Sequence, residues 1–303
     1  MRSSGGGTRT HNLRINSPPL CQIELPRIGH RCYRTQTRVH VYDAPFVTTD
    51  PVRARGAAGE TAFAAWLTLD SPAAATAVAS TGFDAVVVDL QHGRATLDSL
   101  PQLLAAIQHT QALPFVRAAW NHPADLMRAL DLGARGVICP MVDSRAEAEM
   151  FVAACRYPPA GIRSYGPIHA AFGQGHEQTT AANDAVFLFA MIETADGFAN
   201  VEEIAATPSL DGLFVGPADL SLGIGLDTFA ELSDPVLLTA LDAIVAAATA
   251  HGLIPGIHAP SPSSAAAMAD RGFRFVSGAV DVDLLRDAAE AALRATRTPP
   301  PAE

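Results

Sequence analysis

From residue 61 to residue 297, short β-branched or aromatic runs alternate with Ala- and Leu-rich stretches of helical spacing. This alternation constrains the chain more than any other feature, because strands joined through crossover helices pair in parallel. Eight such runs occur, at 62–69, 85–89, 114–117, 136–140, 187–193, 212–216, 254–258 and 273–278. Helix-like segments at 72–80, 97–109, 123–132, 145–155, 198–206, 235–250 and 263–271 fill the gaps, and 282–297 closes the set. Eight strands each followed by a helix define an α/β (β/α)8 TIM barrel, a fold that ordinarily takes about 250 residues. An open doubly wound sheet is the alternative that pattern alone leaves standing. One connection, 157–184, is long and rich in Gly, Pro and His, as functional loops are.

With 303 residues, 49% hydrophobic and 17% charged, disorder across the whole chain is excluded. Residues 1–55 differ from the rest, with Gly5-Gly6-Gly7, Pro18-Pro19, scattered Arg and no sustained period. They read as a disordered or non-native leader, either of transit-peptide composition or upstream sequence translated from a misassigned start. The catalytic barrel is expected over 56–298, with 299–303 as a frayed tail. Residues 1–43 hold seven Arg against Glu24 and Asp43, so the body carries more than the whole net charge of -10. An acidic body excludes nucleic acid and anionic membrane as main partners and leaves small molecules. Cys21, Cys32, Cys139 and Cys155 show no zinc spacing and fit a reduced, cytoplasmic setting. The most apolar stretch, 236–254, is broken by Asp242 and His251 and reads as an amphipathic helix.

All 21 basic residues are Arg. With no lysine, a Schiff base, a pyridoxal phosphate anchor and a P-loop are all ruled out.

Polar residues fall where the apolar runs stop, the place from which barrel enzymes draw their chemistry: Asp89, His92, Arg117, Glu193 and Asp219. Glu193 and Asp219 end adjacent runs. Two hard oxygen ligands without thiolates suit Mg²⁺ or Mn²⁺, with Co²⁺ tolerated; helix-capping acids are the plainer reading. The turn at 212–220 can expose N–H groups to a carboxylate, whereas Gly223-Ile224-Gly225 is too short for a dinucleotide fingerprint. Asp89 stands three residues before His92 and is expected to orient its imidazole. His122, His169, His176, His251 and His258 are lesser candidates, with His169 and His176 in the long loop closest to a substrate.

The segments at 83–93, 114–117, 139–142, 156–163, 191–194 and 215–221, in this order, resemble the HpcH/HpaI family of metal-dependent class II pyruvate aldolases. The resemblance runs from about residue 61 to residue 297. It implies a barrel of the phosphoenolpyruvate/pyruvate type in which Glu193 and Asp219 bind a divalent cation (Mg²⁺, Mn²⁺ or Co²⁺). It further implies that pyruvate chelates this ion, that Arg117 meets the enolate oxygen, and that His92 with Asp89 moves the aldol proton through a water. Gly216 and Ala218 then offer backbone N–H groups to the carboxylate. Family members are commonly homohexamers that exchange their last helix. Two positions depart from the common pattern: Gln91 stands where many members have Glu, and Met191 where many have Gln.

The sequence therefore reads as a lyase that cleaves a 4-hydroxy-2-oxo acid to pyruvate and an aldehyde. Its rivals are a decarboxylase or C–C lyase of oxaloacetate, a related 2-oxo diacid or an acyl-CoA ester, and a non-catalytic barrel scaffold. The acidic body disfavours the coenzyme A ester.

Overall fold

Eight strands, β1 (Ala62–Leu67), β2 (Ala85–Asp89), β3 (Leu113–Arg117), β4 (Gly136–Cys139), β5 (Phe187–Ile192), β6 (Gly212–Val215), β7 (Ile254–His258) and β8 (Phe275–Val280), close into a barrel in chain order, every neighbour parallel. The structure, a computed structural model, describes residues 50–166 and 175–297. The chain divides into residues 1–43 and 44–303, and only the second unit contains described residues. The helices are α1 (Pro51–Ala57), α2 (Pro72–Ala79), α3 (Leu100–Gln108), α4 (Pro123–Asp131), α5 (Arg145–Cys155), α6 (Gly175–Ala185), α7 (Ala195–Ala199), α8 (Val201–Ala205), α9 (Pro217–Gly223), α10 (Pro235–Ala250), α11 (Pro262–Asp270) and α12 (Asp281–Arg297).

Apart from the exposed Phe63 on β1 and the half-buried ends of β7, both faces of the strands are buried, so they read as nearly unbroken apolar runs and the two faces feed two separate cores. Outward residues such as Val86, Val88, Val116, Leu188 and Leu213 pack against the helices. In α10 the buried Leu237, Ala240, Leu241, Ile244, Ala247 and Ala248 form one helical stripe, each large side chain contributing about 1.5–3 kcal/mol of burial. Inward residues alternate, and Trp66, Phe115, Phe187, Phe189, Phe214 and Phe275 fill the barrel. These rings fit because glycine stands opposite. A Cβ at Gly136 would lie 2.2 Å or less from Phe115, at Gly212 2.4 Å from Phe189, and at Gly256 2.8 Å from Phe214. Large residues on some strands and none on their neighbours is how a closed barrel fills its interior without overpacking.

Several boundaries differ from those read in the sequence, for local reasons. The eighth strand, expected at 273–278, runs from Phe275 to Val280. Gly272 (φ 110°) and Phe273 close the turn after α11, and the register with β1 slips one residue at Gly278, so the strand continues beyond it. The helix expected at 198–206 is two short ones: Thr194 caps α7 on the Gly197 N–H, and the chain breaks at Asn200, whose side chain donates to the Asp143 carbonyl (2.8 Å). The boundary expected at residue 55 falls inside α1, whose Val52 is buried in the barrel interior, so ordered chain begins upstream of it. The loop at 157–184 ends in α6. The leader to residue 49, His169, Cys21, Cys32, the tail 299–303 and the side chain of His176 lie outside the described residues.

The motif at 156–163 works at the barrel end opposite the strand C-termini. Arg156 pairs with Asp211 (2.6 Å) and donates to the Val186 and Ser209 carbonyls (3.1 and 3.0 Å), tying the entries of β5 and β6 together. Arg163 pairs with Asp131 (2.7 Å) and lies 4.5 Å from the Tyr157 ring centre.

Candidate active site

Strand alternation assigns the uppermost inward layer at the C-terminal rim. Counting by twos from the ring layer gives Trp66 on β1, Asp89 on β2, Arg117 on β3, Glu193 after β5, Gly216 after β6, His258 on β7 and Ser277 on β8. The register agrees, pairing Asp89 with Arg117 and His258 with Ser277. The rim thus sets the Asp89–Arg117 pair with Trp66 and His258 on one side and the Glu193 carboxylate on the other.

Asp89 and Arg117, both buried, meet side by side: Arg117 Nε donates to Asp89 Oδ1 (2.8 Å) and Nη2 to Oδ2 (2.5 Å). Trp66 Nε1 adds a hydrogen bond to Oδ2 (3.2 Å), and the guanidinium lies 5.1 Å from the Trp66 ring centre. Burial alone raises the Asp89 pKa, but the hydrogen bonds and charge of Arg117 outweigh it and hold the carboxyl below its ordinary value. Nη1 of Arg117 makes no hydrogen bond among the described residues, so one edge of a fixed cation is left to meet a ligand.

His92 is exposed at the rim, but Asp89 does not hold its ring. The carboxylate instead accepts from the backbone N–H groups of Gln91 (2.9 Å) and His92 (3.2 Å), so the expected carboxylate–imidazole pair is replaced by a tether on the turn. The three remaining Asp89 hydrogen bonds go to Arg117 and Trp66, so none ties the carboxylate to the imidazole. Gly93 is required beneath this turn, where a Cβ would meet the Asp89 carbonyl at 2.2 Å.

Glu193 is buried, with Oε1 accepting from the Met141 N–H (2.9 Å) and Oε2 without a hydrogen-bond partner among the described residues. Desolvation, together with the negative charges of Asp219 and Asp143, pushes its pKa up to about 7, against the Met141 hydrogen bond and the Arg117 charge. The role of a helix-capping acid falls away for Glu193, because Thr194 caps α7. Asp219 is exposed in the first turn of α9, with Gly216 as N-cap and Ala218 between them. Gly216 is what leaves room for the Glu193 carboxylate: a Cβ there would lie 2.5 Å from Oε2 and 2.6 Å from Met191 Cε. Gly216→Ala should therefore displace Glu193 and lower kcat/KM about 100-fold or more, while near-ultraviolet circular dichroism stays that of the folded barrel. An alanine variant of full activity would show that this carboxylate is not used.

An orphaned, buried carboxylate oxygen beside a second acid fits a hard divalent cation, which would supply the missing partner and lower the cost of burying the charge. Among the described residues no group of three or more His, Cys, Asp and Glu side chains converges, so two protein carboxylates are available and the rest of the shell would be water or substrate oxygen.

Four contributors escaped the sequence reading or stood low in it: Trp66, Met141, Ser277 and His258. Met141 adopts φ 54°, which aims its N–H at Glu193 and which no side-chain pattern announces. Trp66 and Ser277 follow from strand parity, a signal available once the strands are numbered from their ends.

A closed parallel barrel with its titratable residues gathered at the C-terminal rim defines a barrel enzyme. Residues 63–288 match the family model described as HpcH/HpaI aldolase/citrate lyase. The hydroxypyruvate/pyruvate aldolase of Rhizorhabdus wittichii is 38% identical over 231 residues, 76% of this chain and 92% of that one. The 2-dehydro-3,6-dideoxy-6-sulfogluconate aldolase of Pseudomonas putida is 36% identical, covering 77% and 91%. The crystal structure of an HpcH/HpaI aldolase/citrate lyase family protein from Burkholderia cenocepacia superposes with a TM-score of 0.76 at 33% identity, over 82% of this chain and all of that one. The chain belongs to the HpcH/HpaI aldolase/citrate lyase family and is a carbon–carbon lyase.

Proposed function

We propose that this protein is a divalent-metal-dependent aldolase that cleaves a 4-hydroxy-2-oxo acid to pyruvate and an aldehyde, with Glu193 and Asp219 as the metal ligands. The observation that carries the reading is the buried, partnerless Oε2 of Glu193 beside Asp219 on the rim that also holds the Arg117 cation. The aldolase names of the relatives support the reaction class. The cation, when bound, supplies Lewis acidity toward the 2-oxo acid.

The chain's own groups do the rest. Arg117, fixed by Asp89, presents Nη1 to the oxygen on which negative charge develops. His92, through a water, takes the proton of the C4 hydroxyl; the C3–C4 bond breaks, the aldehyde carbonyl forms, and the electron pair becomes the pyruvate enolate. C3 then takes up a proton. Gly216 and Ala218 offer backbone N–H groups to the carboxylate at the entry of α9.

Proton NMR of pyruvate in D₂O tests this without knowledge of the aldehyde. With Mg²⁺ the methyl signal should decay, with a chelator it should persist, and His92→Ala should slow aldol cleavage about 100-fold while exchange changes little. Equal loss of both in His92→Ala, or exchange indifferent to the chelator, removes the corresponding role.

The assembly is proposed as a homo-oligomer, a hexamer by resemblance, in the cytoplasm. Along α12 only Asp281 is buried, and Val282, Leu284, Leu285 and Leu293 are exposed apolar residues on a helix that a single barrel leaves uncovered. Light scattering of the full chain should return a multiple of 31.7 kDa, and a monomer mass would remove the assignment. Buried, free Cys139 and Cys155 suit a reducing compartment, and no described helix is long and apolar enough to cross a membrane.

A further inference from the structure

His258 is a polar residue in the inward rim layer for which the reaction as described has no use. It ends β7, and by strand parity it follows Ile254 and Gly256 into the barrel. Its Nδ1 is 2.7 Å from Ser277 Oγ, on the paired residue of β8, and its ring stands edge-on to the Trp66 indole, with centres 5.1 Å apart. That indole is the one hydrogen-bonded to Asp89 and stacked near the Arg117 guanidinium. The imidazole is therefore immobilised on two sides, within the Asp89–Arg117 cluster, and its Nε2 makes no hydrogen bond among the described residues.

A ring held in this way has a defined chemistry. Desolvation and the neighbouring Arg117 charge, against the weaker pull of Asp89 and Asp283, lower its pKa to about 4, so the imidazole is neutral at physiological pH. A neutral ring has no charge with which to anchor a carboxylate, and a general base so weakened is poorly matched to neutral pH. What it can do is exchange a hydrogen bond with a group that both donates and accepts. Ser277 can accept from Nδ1–H or donate to a bare Nδ1, so either tautomer is available to the ligand at Nε2. An aliphatic side chain at the same layer would pack on Trp66 and Phe214 without the cost of burying a polar nitrogen.

We propose that His258 is a substrate-contacting residue whose Nε2 hydrogen-bonds a hydroxyl group of the substrate, making the enzyme select hydroxylated substrates over their deoxy counterparts. The inference rests on the aldolase reading above and deepens it by naming a substrate class. The hydroxyl can belong to the aldehyde half or to the 2-oxo acid half, and two pairs of probes separate these sources.

The test compares the purified, metal-loaded wild type with His258→Leu and His258→Gln, the latter placing an amide near the position of Nε2. Wild type should add pyruvate to glycolaldehyde in preference to acetaldehyde, or exchange the C3 protons of hydroxypyruvate in preference to those of pyruvate. His258→Leu should lose about 20-fold or more in kcat/KM for the hydroxylated member of that pair and less than about threefold for the deoxy member, with His258→Gln recovering most of the loss. Selectivity lost with glycolaldehyde places the contact in the aldehyde half, and selectivity lost with hydroxypyruvate places it in the 2-oxo acid half. Equal losses on hydroxylated and deoxy probes, or no loss on either, overturn the proposal and leave His258 a packing residue. Should the leucine variant not fold, judged by its thermal midpoint, His258→Phe takes its place in the same comparison, with His258→Gln still the variant expected to recover the selectivity. A wild type that exchanges the C3 protons of neither pyruvate nor hydroxypyruvate with any of Mg²⁺, Mn²⁺ or Co²⁺ defeats the aldolase reading before any variant is made, and this proposal with it.

Discussion

Glu193→Gln should abolish metal-dependent turnover, with kcat/KM falling at least about 1,000-fold, and should leave the metal-free protein as stable as the wild type or more so. The two effects have one cause. The wild-type carboxylate is buried with one oxygen unpartnered, and its pKa rises from 4.5 to about 7. Between those values the folded state binds the proton more tightly than the unfolded chain, so the stability of the metal-free protein falls as pH rises through this window. The full difference corresponds to about 3 kcal/mol above pH 7 and vanishes below the unfolded value. Glutamine keeps an acceptor for the Met141 N–H and carries no charge, so its thermal midpoint without metal should exceed that of wild type at pH 8 and converge on it near pH 4. Asp219→Asn, at an exposed site, should cost activity similarly without changing metal-free stability. Metal binding to wild type near pH 7 should also release protons, read by calorimetry in buffers of different ionisation enthalpy; uptake without release would mean that the carboxyl was already ionised. Retained turnover in either variant would remove the metal assignment.

The barrel was legible because its signal is repeated. Eight apolar runs at strand length, each followed by a helical stretch, tolerate errors of several residues at every boundary without changing the count. Where the reading slipped, a backbone feature intervened that side-chain pattern does not encode: the register shift at Gly278, the left-handed turn at Gly272, and the break between α7 and α8 held by Asn200. The site was legible in part. Asp89, Arg117, Glu193 and Asp219 stand at strand ends and show themselves as polar residues where apolar runs stop. What the sequence could not supply was direction. Asp89 lies three residues from His92, which suggested a catalytic pair, yet the carboxylate lies flat along Arg117 and reaches His92 only through its backbone. Sequence proximity placed the two on one turn, and long-range pairing across β2 and β3 decided which of them met. The same parity that joins Asp89 to Arg117 brings His258 into the layer, although nothing in its immediate sequence neighbourhood marks it out.

The Asp89–Arg117 pair should prove the most sensitive point of the rim to truncation. Removing either partner leaves a buried charge without its counter-ion, so Asp89→Ala and Arg117→Ala should each destabilise the fold by about 3–5 kcal/mol, measured by urea unfolding. The double variant should lose less than the sum, because it leaves no orphan charge, and the coupling should exceed about 1 kcal/mol. Asp89→Asn separates charge from shape. Since the folded-state pKa of Asp89 lies below its ordinary value of 3.8, the stabilisation is complete above that value and fades as pH falls below it. The gap between wild type and Asp89→Asn should therefore be constant from pH 8 to pH 5 and shrink on acidification below 3.8. Activity should follow the geometry as well as the charge. Arg117→Lys keeps a cation but cannot both span the carboxylate with two parallel hydrogen bonds and present a third donor to the mouth, so pyruvate exchange should fall about 100-fold or more with stability partly retained. If the lysine variant exchanges pyruvate as fast as wild type, the third guanidinium nitrogen has no part in the reaction, and the cation serves the fold alone.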